Sequence, residues 1–375
     1  MKIIVSPDSF KGSCSAIEVA DSIEKAIHSV DSTIEVVKMP VADGGEGTID
    51  AITSCVPATI YELEVCDPMG KNAMAKYAVI ENGETAVIEM AQASGLPMVP
   101  VDERNPLLAT TYGTGQLMKD ALDKGVKKMI IGIGGSATND GGAGMLMALG
   151  ASFKNTDGEE LALGGGALAD LAEIDLTEFD TRIFDAEITV ACDVTNPLTG
   201  ENGASYVYGP QKGATPEMVK ELDSALAHFA KLSAKGFGED YSTYPGTGAA
   251  GGLGFALIAY CKAKFAAGID IVLNVSGFEK ELQDADLVIT GEGRIDGQSV
   301  QGKVLYGIGT RAKEKGVPVI AIGGAVRSDS EALLEHGITA MFSIANGPMT
   351  LDYAMENGLE LITQVTKNII RVFIK

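Results

Sequence analysis

The chain has 375 residues, 46% hydrophobic and 21% charged, which is ordinary globular usage with room for two domains. Its 51 acidic and 29 basic residues give a formal charge of -22, a poor match for nucleic acid or an anionic membrane surface. Any small anionic ligand must be held by local cations, backbone N–H groups or a metal against that background.

The apolar run in MKIIVSPDSF is too short for a signal peptide, and no stretch approaches the roughly 18 apolar residues of a membrane helix, so a cytoplasmic protein is expected. Cys14, Cys55, Cys66, Cys192 and Cys261 contain no CxxC pair, which fits reduced thiols and excludes a cysteine zinc cluster. KIIVSPD is a strand. SAIEVADSIEKAIHSV is an amphipathic helix opened by a Ser15/Glu18 capping box. TIEVVKMPV and TIDAITSC continue the strand–helix alternation that marks a parallel, doubly wound sheet. AKYAVI and TAVIEM, joined through Asn82-Gly83, then predict an antiparallel hairpin. Helices are expected at GQLMKDALDKG, PEMVKELDSALAHFAKLSAKG and GFALIAYCKA. From DLVITGEG onward strand and helix alternate again, through VPVIAIGG and ITAMFSIANG to an amphipathic C-terminal helix.

The expected architecture is α/β. A Rossmann- or flavodoxin-like parallel sheet domain is built from both termini, residues 1–57 and 285–375, with a mixed α/β domain, 58–284, inserted in it. Two crossings would leave a cleft that a hinge could close.

Several loops fall where strands of an open α/β sheet should end, which is where such sheets bind ligands. VSPDSFKGS places Asp8, Ser9 and Lys11 before a helix start, suited to a phosphate and a metal or hydroxyl. PVADGGEGT places Asp43 and Glu46 among glycines, a pairing that suits Mg²⁺, which takes few protein oxygens. TGEGRIDGQSVQGK gathers Glu292, Arg294, Asp296 and Lys303, and its Gly297 to Lys303 segment is a near miss to a P-loop, with Val304 where Ser or Thr is needed. GIGGSATNDGG, at 132–142, sets Gly134, Gly135, Ser136, Thr138, Asn139 and Asp140 after the strand MII, in a loop able to offer bare N–H groups to a ligand. ACDVTNPLTGENGASYVYGPQKGA supplies Asp193, Asn196 and Lys212, the aspartate as a general base or metal ligand.

GTGAAG at 246–251 matches a dinucleotide pattern but lacks a preceding strand. GIGGSA follows a strand, so an NAD(P)-dependent oxidoreductase acting on a small hydroxy acid is a competing reading, although ASFKN brings no ribose-binding acid. A non-catalytic organic-acid sensor is a second alternative. His28, His228 and His336 all fall in expected helices, which leaves a Ser-His-Asp hydrolase and a histidine metal site without support.

Taken in order, VSPDSFKGS, MPVADGGEGT, GIGGSATNDGGAGML, ACDVTNPLTGENGASYVYGPQKGA, GTGAAGGLGFAL and LVITGEGRID resemble the bacterial glycerate kinases over nearly the whole chain. The resemblance implies ATP- and Mg²⁺-dependent phosphorylation of D-glycerate, leaning to the 2-phosphate over the 3-phosphate, in a monomer or homodimer. Phosphoryl transfer needs alignment and positive charge. Lys11, Arg294 and Lys303 are therefore expected on phosphate or the glycerate carboxylate. Asp43, Glu46, Glu292 and Asp296 are expected on Mg²⁺, with Asp193 as the base and Asp8 as second candidate. The 132–142 loop is expected to wrap ATP phosphates or glycerate, with Asn196 and Lys212 in binding roles.

Overall fold

The computed structural model describes residues 1–300 and 303–374. The chain divides into two compact units, Met1–Pro57 with Ala267–Lys375, and Ala58–Ala266. The return crossing thus lies at 266–267, where the sequence pattern pointed to 284–285. Residues 267–284 form the helices Gly268–Ser276 and Phe278–Leu282, and the N-terminus of the first lies against the Asp43–Gly44 backbone of the first unit.

The first unit is built on five strands, Lys2–Pro7, Glu35–Lys38, Leu287–Ile295, Val319–Val326 and Ala340–Ser343, all paired in parallel. In chain order they lie 2-1-3-4-5, the flavodoxin-like arrangement. The order reverses between Lys2–Pro7 and Leu287–Ile295, so the topological switch point lies between those two strands. Ser15 caps the helix Ala16–Val30 through the expected box, accepting from Glu18 N–H at 3.2 Å while the Glu18 carboxylate accepts from Ser15 N–H at 2.8 Å. Val19, Ile23 and Ile27 recur on one face and pack with Ile3 and Val5 of the sheet and with Leu361, Ile362 and Ile369 of the C-terminal helix Gly358–Phe373. Between Val319–Val326 and Ala340–Ser343, where the alternation of strand and helix predicts a helix, residues 328–336 form 3₁₀ turns ending at Gly337.

The second unit is built on a six-stranded sheet. Thr85–Glu89, Lys128–Gly132, Glu187–Ala191 and Lys264–Ala266 run parallel, while Asn72–Ile80 and Thr59–Cys66 add antiparallel at one side. The Asn82-Gly83 hairpin forms as the sequence predicts, with Ala78 opposite Val87 and positive φ at both turn residues. Residues 152–154 leave this sheet and pair with Glu173–Asp175 in a separate hairpin. The dinucleotide reading of GIGGSA therefore lacks its immediate second parallel strand. Among the described residues no helix is long and apolar enough to cross a membrane.

The glycines of 246–254 serve close packing. Gly251 has φ +68° and its carbonyl accepts from Gly141 N–H at 3.0 Å, and a Cβ there would overlap the Thr138 carbonyl. Gly251→Ala combines left-handed strain with overpacking and is expected to destabilise the protein by about 3 kcal/mol, read as a lower midpoint in urea unfolding.

Candidate functional site

In the first unit, three carboxylates meet at one edge of adjacent strands, Glu292 from within Leu287–Ile295 just past its pairing with Lys2–Pro7. Asp8 follows Lys2–Pro7 directly, and its N–H bonds the Gly291 carbonyl at 2.8 Å, one residue before Glu292. Val41 N–H bonds the Pro7 carbonyl at 3.0 Å, so the segment after Glu35–Lys38 runs beside the same strand and delivers Asp43 to the same edge. The trio therefore stands at the switch point, where open α/β sheets bind ligands.

Their charges act on one another. Burial pushes the Asp8 carboxyl up to about 7, the negative charges of Asp43 and Glu292 add to that, and a hydrogen bond from Ser9 N–H at 2.6 Å pulls it back. Burial also raises Glu292; the Ser299 hydroxyl, which donates to its Oε1, and the charge of Lys303 oppose the shift, while Asp296 and Asp43 reinforce it. Lys303 occupies the N-cap of the helix Val304–Lys315. Arg294 pairs with Asp296, Nε to Oδ2 at 2.7 Å, with the arginine more than half exposed and the aspartate largely buried. Lys11 and Glu46 are exposed, and Ser9 is half-buried. This unit thus unites Asp8, Asp43, Glu292, Asp296 and Lys303, with Arg294 engaged by Asp296. The near-miss P-loop includes residues 301 and 302, which lie outside the described residues.

Among the described residues no trio of His, Cys, Asp or Glu stands in metal-ligating geometry. Hard oxygen donors at an edge where burial, and then the charge of Asp43, raises Asp8 and Glu292 fit a Mg²⁺ that keeps waters and takes substrate phosphates, and do not form a closed cage.

The second unit's loops also share one edge. Glu89, Gly132, Ala191 and Ala266 lie in register at the ends of neighbouring parallel strands, so residues 133–142 and 192–203 leave the sheet side by side. Within the glycine-rich loop only Gly134 and Gly135 reach the surface; Ser136, Thr138, Asn139 and Asp140 are buried. The loop is zipped to residues 94–96, with Leu96 N–H to the Gly135 carbonyl at 2.7 Å and Ala137 N–H to the Ser94 carbonyl at 2.9 Å.

Asp140 was expected on the ligand; its carboxylate is instead turned inward. It accepts from Thr111 N–H at 2.8 Å, Thr111 Oγ1 at 2.9 Å, Gly142 N–H at 3.1 Å and Gly144 N–H at 3.2 Å. Burial still raises its pKa against those donors. Lys212 is likewise inside, 2% exposed, donating from Nζ to Ser136 Oγ at 2.7 Å and to the Thr138 carbonyl at 2.6 Å. Burial lowers its pKa to about 7, with the Asp140 charge opposing the fall. Asn196 has both side-chain ends occupied within the protein, Nδ2 on the Asn202 carbonyl at 2.8 Å and Oδ1 on the Tyr208 hydroxyl at 2.7 Å. Asp193 stands exposed two residues beyond Glu187–Ala191. The side chains that fix these loops, Thr111, Ser205 and Tyr208, carried no sequence signal, because their role depends on partners 29, 66 and 12 residues away. Glu89, buried at the same sheet edge, was missed too, since TAVIEM reads as an apolar strand.

A sequence model of the glycerate kinase family matches residues 3–374. This chain belongs to the glycerate kinase family. It is 50% identical over 369 residues to a glycerate kinase of Bacillus subtilis, covering 98% of this chain and 97% of that one. It is 47% identical over 369 residues to the glycerate 2-kinase of Escherichia coli K12, with the same coverage. A solved structure described as glycerate kinase 2 from Salmonella typhimurium LT2 superposes with a TM-score of 0.89 at 47% identity, covering 100% of this chain and 98% of the other. Family membership places the chain among phosphotransferases and removes the oxidoreductase reading.

Asp8 gives the first unit a pH signature. Its folded pKa lies above that of the unfolded chain, so the folded state holds the extra proton, and the group costs stability as pH rises through about 7. Without divalent cations, Asp8→Asn is expected to raise the thermal midpoint by a few degrees at pH 8 and to leave it unchanged near pH 3, where Asp8 is protonated in both states.

Proposed function

We propose that this chain transfers the γ-phosphoryl group of ATP to O2 of D-glycerate, giving 2-phosphoglycerate. Family membership over nearly the full length supports kinase chemistry, and the 2-kinase relative from Escherichia coli favours the 2-position. The observation that carries the reading into this chain's own residues is the convergence of Asp8, Asp43 and Glu292 at a topological switch point, with Lys303 at the adjoining helix start.

Phosphoryl transfer passes through a loose, charge-spread transition state, so the residues mainly align groups and balance charge. A Mg²⁺ that keeps most of its waters would be held through one or two of Asp43, Glu292 and Asp296, and when bound would neutralise phosphate charge. Asp8 adds negative charge to that end of the sheet, a role that its burial beside Asp43 and Glu292 suits better than that of a free-standing base. Lys11 and Lys303 supply point charges for phosphate oxygens. Arg294, already paired through Nε, has its terminal nitrogens left to reach phosphate or carboxylate while Asp296 fixes its orientation. Asp193 remains the base for the glycerate hydroxyl, being exposed at a strand end. Gly134 and Gly135 offer the accessible backbone of the glycine-rich loop, while Ser136, Thr138, Asn139, Asp140, Asn196 and Lys212 hold loop shape.

Phosphorus NMR of the product decides the acceptor oxygen. A phosphate on O2 couples to one proton and appears as a doublet, one on O3 couples to two and appears as a triplet, and a doublet is expected. Tight D-glycerate binding without ATP consumption would return the sensor reading. For the Mg²⁺ assignment, Glu292→Gln is expected to raise the Mg²⁺ concentration for half-maximal rate by about tenfold or more, with the D-glycerate KM nearly unchanged. An unaltered Mg²⁺ dependence removes Glu292 from that role.

A further inference from the structure

In the second unit, residues 204–212 touch both loops of the functional edge through their side chains. Residues 204–212 comprise the short helix Ala204–Tyr208 and the 3₁₀ turn Pro210–Lys212. On one side Ser205 Oγ accepts from Asn139 Nδ2 at 2.9 Å, and Lys212 Nζ bridges Ser136 Oγ and the Thr138 carbonyl. On the other side the Tyr208 hydroxyl donates to Asn196 Oδ1 at 2.7 Å. Asn196 in turn fixes its own loop, with its Nδ2 on the Asn202 carbonyl and its backbone carbonyl accepting from Gly248 N–H at 2.9 Å. The Tyr208 ring is half-buried, and burial, with a smaller contribution from Cys192, raises its phenol pKa.

The glycine-rich loop needs such external support. Thr138 Oγ1 and Asn139 Oδ1 are buried and have no hydrogen-bond partner among the described residues. Buried polar groups left unpaired cost free energy, so this loop conformation is not the one its own side chains would choose in isolation. It persists because Lys212 and Ser205 hold one limb and Asp140 the other. The same short segment that holds it also fixes Asn196, so a shift at one loop is transmitted to the other through about two turns of backbone.

We propose that residues 204–212 are a connector that sets the spacing between the glycine-rich loop and the Asp193 loop, with Tyr208 and Lys212 as its positioning residues. The catalytic consequence rests on the kinase reading above, while the mechanical coupling does not. Neither residue contacts substrate in this scheme. Lys212 acts from inside the loop, and Tyr208 acts on Asp193 only through Asn196.

The test is Tyr208→Phe, which deletes one hydroxyl and keeps the ring, followed by hydrogen exchange with mass spectrometry and steady-state kinetics on the full chain. Exchange is expected to quicken at residues 193–203 and also at 133–142. The kcat is expected to fall by about tenfold, with the KM values for ATP and D-glycerate within about twofold. Lys212→Met should quicken exchange in both loops from the opposite end. Should it fail to fold, Tyr208→Phe alone still decides. Faster exchange confined to 193–203, or a wild-type kcat in Tyr208→Phe, overturns the connector. A wild-type chain with no ATP- and D-glycerate-dependent turnover overturns the kinase reading instead, and the exchange pattern still judges the coupling.

Discussion

The second unit turns on a buried charge that folds a loop around itself. Asp140 has no solvent contact, so its carboxylate must take hydrogen bonds from the chain, and it takes them from Thr111, Gly142 and Gly144. Those bonds join the segment before helix Tyr112–Asp123 to the start of helix Ala143–Ala148. Side-chain bulk at Gly144 would strike Thr110 Oγ1, so the same geometry that satisfies the carboxylate forbids a Cβ. A carboxylate without those donors would be an unpaired buried charge, among the costliest defects a fold can carry.

Lys212 is the counterpart, a buried amine whose pKa burial lowers to about 7 and whose hydrogen bonds go to loop groups. Replacing water with fixed protein dipoles makes the loop rigid before any ligand arrives, and preorganised dipoles are what charge-stabilising catalysis requires. The first unit shows the opposite economy. Burial raises Asp8 and Glu292, and the charge of Asp43 adds to both shifts, so that edge carries negative charge without full neutralisation.

The elements of the fold were written in local pattern. The Ser15/Glu18 box, the spacing of Val19, Ile23 and Ile27, and the Asn-Gly turn at 82–83 each act within a few residues, so they can be read directly from the chain. The connection at 328–336, where strand–helix alternation predicts a helix, forms 3₁₀ turns that stop at Gly337. Helices 268–282 carried no mark of which unit they would join. That depended on their packing against the Asp43 loop, a contact more than 200 residues distant in sequence.

The chemical inventory of the candidate site was likewise legible: acids and bases in glycine-rich loops at strand ends point to ligand binding whatever the ligand. Residue type could not say which of those groups face outward. Asp140 and Lys212 carry the same chemistry as Asp43 and Lys11, and only the folded packing turns the first two inward. The sequence by itself determined the alternation of strands and helices, the acidic character and the set of reactive groups, since these depend on composition and short-range periodicity. The tertiary structure decided burial, pairing and partner, because desolvation and hydrogen-bond geometry exist only once distant segments have met.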